Sequence, residues 1–104
     1  MAPTQAVIIE FNYGLEEDEP FYELSDDLRV LVEESGLGEY DGHEMAMDNS
    51  DGSFYIYGPD AKKLYEVVRE KIEKTPFMGG AIVTLRFGPP EKGVKEVSFT
   101  LNLN

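Results

Sequence analysis

The sequence predicts an α+β sandwich in which two helices cover one face of a five-stranded, mainly antiparallel sheet. Three observations predict it. Five short segments read as strands, and two longer ones repeat apolar residues at helical spacing. Their order is β-α-β-β-α-β-β. Both helices on one face is the economical way to bury two apolar stripes and one apolar sheet face together. At 104 residues the chain is read as one domain, 1–104.

Gln5 to Tyr13 alternates, with Val7, Ile9, Phe11 and Tyr13 on one side and Ile8, Glu10 and Asn12 on the other. This is a strand with one well-defined apolar face, ended by Gly14. Glu16-Glu17-Asp18-Glu19-Pro20 is read as a charged loop. Ser25 is expected to cap the first helix, with Asp26 and Asp27 in the first turn, where the helix dipole favours anions. Leu28, Leu31, Val32 and Ser35 share one helical face, and Gly36 suits the left-handed residue that ends it.

Tyr40 to Asp48 and Ser53 to Tyr57 read as a hairpin joined by Asn49-Ser50-Asp51-Gly52. A loop at 51–52 or at 49–52 puts Met45 and Met47 beside Phe54 and Ile56, and Tyr55 and Tyr57 on the other face with Glu44 and Ala46. A three-residue loop would reverse this. Pro59 and Asp60 open a second helix with Ala61, Leu64, Val68 and Ile72 buried. Lys62/Glu66 and Glu70/Lys74 are expected as pairs on its wet side. Thr75-Pro76 ends it. Ala81 to Phe87 alternates as the next strand, Gly88 to Gly93 is a turn, and Val97, Phe99, Leu101 and Leu103 mark the last strand. The first six elements match the split βαβ, ferredoxin-like arrangement, so the expected sheet order is 5-4-1-3-2.

Leu, Ile, Val and Phe make 28 residues, too many for a disordered polymer even at net charge −12. No apolar run is long enough to span a bilayer, and residues 1–12 carry no signal-peptide pattern; Met1 to Thr4 is read as a short frayed start. With no cysteine, disulfides, thiolate catalysis and Cys-ligated metals are excluded, and a cytoplasmic location fits. Residues 1–52 hold 15 acids and one base, net −14; residues 53–104 hold six acids and eight bases, net +2. Such a field repels nucleic-acid phosphates and attracts basic partners.

Two candidate surfaces follow. The predicted topology brings Glu16, Glu17, Asp18, Glu19, Asp48 and Asp51 to one end of the sheet, where they would dock a basic protein or hold a hard cation. EF-hand spacing fails there: with Gly52 as the sixth position, Met47 falls first and Gly58 twelfth. The open sheet face would show Ile8, Glu10, Tyr55, Tyr57, Ile82 and Arg86, a patch of the kind that marks an interface between copies or with another protein. Arg86 is placed to pair with Glu10 or to anchor an anionic ligand.

Two further motifs read as structural. His43 and Glu44, adjacent in a strand, point to opposite faces, so His43 is expected as a hydrogen-bonded histidine at the core margin. Gly79-Gly80 lacks any phosphate-loop spacing. No nucleophile-base-orienter set is present, and no residues nominate a metal or a cofactor.

Asp41-Gly42-His43-Glu44, Asp51-Gly52, Tyr57-Gly58-Pro59-Asp60-Ala61 and Leu85-Arg86-Phe87-Gly88-Pro89-Pro90 resemble a small bacterial family of acidic ferredoxin-like proteins. That resemblance implies the fold and no activity. In size, acidity and element order the chain is also similar, more distantly, to the acidic ferredoxin-like regulator that inhibits ribonuclease E. Gly52 to Tyr57 sits where an RNA-recognition motif stacks bases, but Asp51 replaces its cation, so no nucleic-acid partner is expected. The expected function is a non-enzymatic interaction or inhibitor module. The alternatives are a small-molecule-binding or enzymatic domain, with Arg86, Tyr55 and Tyr57 as polar contacts, and a structural homodimer.

Overall fold

The structure is a computed structural model describing residues 5–14, 16–47, 50–89 and 91–102. It contains strand β1 (Gln5–Asn12), helix α1 (Glu19–Ser35), β2 (Glu39–Met45), β3 (Asp51–Gly58), α2 (Ala61–Glu73), a 3-10 turn (Pro76–Met78), β4 (Ile82–Arg86) and β5 (Glu96–Thr100). The sheet order is β2-β3-β1-β4-β5, every pairing antiparallel. This is the expected order 5-4-1-3-2 read from the other edge, with both helices on one face.

β1 is central because its alternation gives one side wholly to the core. Val7, Ile9 and Phe11 are buried beneath the helices. Phe11 and Phe21 both stack on Phe54, at centroid distances of 5.1 and 5.3 Å, which fastens α1 to the sheet. Leu64, Val68 and Ile72 give α2 an aliphatic underside, and Tyr65, missing from the stripe read in the sequence, is buried there too. α1 lies over β2 and against α2; α2 lies over β1, β3 and β4.

α1 begins six residues before the expected cap. Glu19 and Pro20 form its first turn and Asp18 is the flanking residue, so Ser25 is a buried interior residue and not a cap. Pro fits that first turn because its missing N–H would be unpaired there anyway. Phe21 and Leu24 extend the stripe of Leu28 and Val32 backwards, and burying them outweighs the charge of the segment. Gly36 ends the helix at φ 70°, the left-handed conformation a side chain resists.

Asp60 caps α2, its carboxylate accepting the Lys63 N–H at 3.1 Å. Glu70 pairs with Lys74 at 2.7 Å as expected, but Glu66 reaches Arg69 at 3.5 Å while Lys62 lies 6.0 Å over the Phe87 ring.

The hairpin pairing does not turn at its Asp-Gly signal. Met45 pairs with Gly52, and the Ala46 N–H donates to Asp51 O, so Asp51 and Gly52 belong to β3. The facing is kept, since Glu44 pairs with Ser53 and Met45 with Gly52. Met45 packs on the core, whereas Met47 falls in the turn and is fully exposed, not beside Phe54. β2 bulges between Tyr40 and Gly42, with Gly42 at φ 144°. β5 stops at Thr100, short of the expected span: the Leu101 N–H still donates to Ala81 O, but the Ala81 N–H turns to Met78 O and Leu101 O takes the Gly80 N–H instead. Expectations for Met1 to Thr4, Asp48, Asn49, Pro90 and Leu103 fall outside the described residues.

Candidate functional site

The acidic end is built by one tyrosine. Tyr13, just past β1, donates its N–H to Ser50 O at 3.0 Å, which holds the hairpin turn against the end of the strand. Its phenol donates to Glu17 O and accepts the Phe21 N–H at 3.3 Å, which pins the 16–18 segment between strand and helix. Glu16, Glu17, Asp18 and Glu19 are exposed at this end, and Asp51, exposed opposite Asn12 in the register, lies at the same end. Asp48 is outside the described residues. The Tyr13 phenol is held above its ordinary value, first by burial and then by the Asp18 and Glu17 charges, against the Phe21 N–H.

The acid continues along α1. Glu23, Asp26, Asp27, Glu33 and Glu34 are all exposed on it. Residues 16–35 therefore carry nine acids and one base, net −8. Asp26 pairs with Arg29 at 3.0 Å and Asp27 reaches Lys71 of α2 at 2.8 Å. Both pairs are half-exposed and worth little. Acids at the start of α1 suit its dipole; Glu33 and Glu34 near its end oppose it, with no basic residue in the last turn. Among the described residues no group of three or more His, Asp or Glu side chains is placed to hold a metal ion.

The open sheet face gathers the other six candidates. Ile8 lies between Tyr55 and Thr84, Glu10 between Ser53 and Ile82, and Ala6 between Tyr57 and Arg86. Ile82 is 46% exposed, while Ile8, Tyr55 and Tyr57 are partly buried by one another. Arg86 does not pair with Glu10, which sits opposite Ile82, well along the sheet from Arg86. The guanidinium instead lies 5.9 Å over the Tyr57 ring and donates through Nε to Gly88 O at 2.8 Å. Burial raises the Tyr57 phenol, with the Asp41 charge adding and Arg86 opposing. Tyr55 and Glu44 approach at 3.5 Å, and Thr84 Oγ1 and Ser98 Oγ are hydrogen-bonded at 2.9 Å.

A third cluster was not read from the sequence. Ser25 Oγ is 2.7 Å from the Tyr40 hydroxyl and 3.1 Å from His43 Nδ1, and the His43 ring stands edge-on to Phe21 at 4.8 Å. Ser25 lies inside α1 at 4% exposure, with its peptide N–H committed to the helix, so a substrate carbonyl reaches neither a nucleophile nor an oxyanion site there. The trio fastens α1 to the edge strand β2. Burial pushes the Tyr40 phenol up, against the hydrogen bond from Ser25. A helix-spaced serine has no linear relation to a strand histidine, so only the correct start of α1 would have exposed the link.

Two grooves border α2. One of about 680 Å³ runs between the start of α1 and the 3-10 turn, over Tyr13, Leu24 and Phe77, with Lys71 and Lys74 beside it. The other, about 900 Å³, lies between α2 and β5, over Tyr65, Phe99 and Leu101. No family model, curated protein or solved structure matches this chain.

Proposed function

We propose that the chain is a non-enzymatic interaction module that docks a basic protein on its acidic end and the outer face of α1. An inhibitor or regulator of a basic enzyme, such as a nuclease or a toxin, is the concrete form. The observation that carries this reading is the exposed acid of residues 16–34, nine carboxylates with Arg29 as the one base within the segment. Glu33 and Glu34 sharpen it. They sit at the helix end that disfavours anions, and a cationic partner there would relieve that cost. The summed field would speed encounter with such a partner, most strongly at low salt. A cytoplasmic location and kinship with the small acidic ferredoxin-like proteins accompany this reading.

The test is capture from lysate at low ionic strength with elution on a salt gradient. The comparison protein carries Glu16→Gln, Glu17→Gln, Asp18→Asn and Glu19→Gln. A single basic protein recovered near one-to-one, and bound more weakly and with a shallower salt slope by the variant, is the expected result. Unchanged affinity and slope in the variant would refute the reading.

A second reading rests on the contiguity of Ile8, Tyr55, Tyr57 and Ile82 across three adjacent strands, which suits a ligand or a partner on the open face. A ligand bound there raises the melting temperature; a metabolite screen with no such shift counts against it.

A further inference from the structure

The two edges of the sheet are unequal. β2 is bulged at Asp41 and carries Glu39, Asp41 and Glu44, all exposed, so two such edges would set carboxylates against each other. β5 has no bulge, and its ladder to β4 runs unbroken from Glu96 to Thr100. The Phe87 N–H donates to Lys95 O at 3.0 Å and the Leu101 N–H to Ala81 O at 2.8 Å. In an antiparallel ladder the direction of the main-chain groups alternates, so Lys95, Val97, Phe99 and Leu101 face β4. Glu96, Ser98 and Thr100 therefore turn their N–H and C=O groups outward. Val97 is 43% exposed on the helix side of the same strand, and α2 reaches β5 through Tyr65, edge-on to Phe99 at 5.3 Å.

We propose that β5 pairs antiparallel with β5 of a second copy of this chain, about a two-fold axis at Ser98, joining the two sheets into one of ten strands. The register is self-complementary, as a two-fold contact requires. Ser98 meets Ser98 of the partner subunit, and Glu96 meets Thr100 of the partner subunit. Six main-chain hydrogen bonds form from the outward groups. On the helix side Val97 lies against Phe99 of the partner subunit, which covers the exposed valine and fills the trough beside α2. Charge selects this edge. Residues 91–102 hold Glu91, Glu96, Lys92 and Lys95 and sum to zero, in a chain of net −12. The two Glu96 carboxylates stand about 14 Å apart along the joined strands, beyond the screening length at physiological salt. β5 is the edge opposite β2, which α1 covers, so the two −8 strips point to the far ends of the pair. The contact is independent of the acidic docking surface and leaves it open twice over.

Sedimentation equilibrium of the whole chain at physiological salt tests this. The expected mass rises with concentration from 11.7 kDa towards twice that value, within a range on the order of 10–1000 µM for so short a contact. The amides of Glu96, Ser98 and Thr100 should gain exchange protection over the same range. Ser98→Pro removes an outward donor without touching the ladder to β4 and should hold the chain monomeric. Ser98→Lys, which sets two ammonium groups opposite each other on an exposed face, should do the same and decides the matter should the proline variant fail to fold. The four-carboxylate variant at residues 16–19 should pair as the parent does. A monomer throughout the range, or a dimer that Ser98→Lys leaves intact, overturns the proposal.

Discussion

Residues 16–35, which contain α1, hold nine acids and one base; residues 60–75, which contain α2, hold four acids and five bases. The two helices lie side by side on one sheet face and meet it differently. α2 settles its own charges: Arg69 reaches Glu66 and Glu73, Lys74 reaches Glu70, and Asp60 caps the first turn. α1 is held from beneath, by the Phe21–Phe54 stack and by Ser25. Its two ion pairs, Asp26 with Arg29 and Asp27 with Lys71, are half-exposed and worth little, and Glu33 and Glu34 oppose the helix dipole. An outer surface that contributes so little to folding is free to be shaped by something else.

The contrast can be broken at several points. Phe21→Ala removes the ring that stacks on Phe54, and should cost about 3–5 kcal/mol in urea denaturation. A loss below about 1 kcal/mol would mean that aromatic packing is not what holds α1. Alkaline pH probes both helices at once, because Tyr40 under α1 and Tyr65 under α2 are raised by burial above the ordinary 10.0. A raised folded value means that stabilisation is complete below 10.0 and is lost as pH rises through the folded values. The urea midpoint should therefore hold up to that pH and fall above it, in step with tyrosinate absorbance; tyrosines that all titrate as free phenols would contradict the packing.

Ser25→Ala deprives the half-buried Tyr40 hydroxyl and His43 Nδ1 of their partner, and should cost about 1–2 kcal/mol with shifts in the His43 imidazole resonances. Unchanged imidazole resonances would mean that the link is not formed in solution. Asp60→Ala removes the Lys63 cap and should cost about 1 kcal/mol, confined to α2. Faster amide exchange in α1 as well would show that the two helices are not independent.

The sheet was legible because its strands alternate cleanly and only one economical order accommodates them. α2 was legible because Asp60 and the stripe from Ala61 to Ile72 agree on its start. α1 was misplaced because two signals competed. Ser25-Asp26-Asp27 mimics a cap, while Phe21 and Leu24, two turns and one turn ahead of Leu28, carry the stronger message of burial. The hairpin slipped for a related reason: Asp-Gly favours a turn in isolation, but Gly52 was needed in β3 facing Met45, under the Phe11 ring. The two shifts leave Glu16 to Glu19 and Asp51 at one end of the sheet, since their position there does not depend on where the helix starts. The Ser25–Tyr40–His43 link and the edge geometry of β5 depend on three-dimensional register, which no local spacing encodes.

The central place of β1 also governs how the chain acquires its shape. β1 is the first strand made, and its partners are β3 and β4, completed only at residues 58 and 86. Folding must wait for contacts that are distant in sequence, which places this domain among slow folders for its size. At ribosomal speed the interval from Asn12 to Gly58 is roughly 2 to 9 seconds, during which Val7, Ile9 and Phe11 have no sheet to enter. The carboxylates that follow directly, from Glu16 to Glu19, then act on the unfolded chain: their mutual repulsion keeps one waiting apolar strand from finding another.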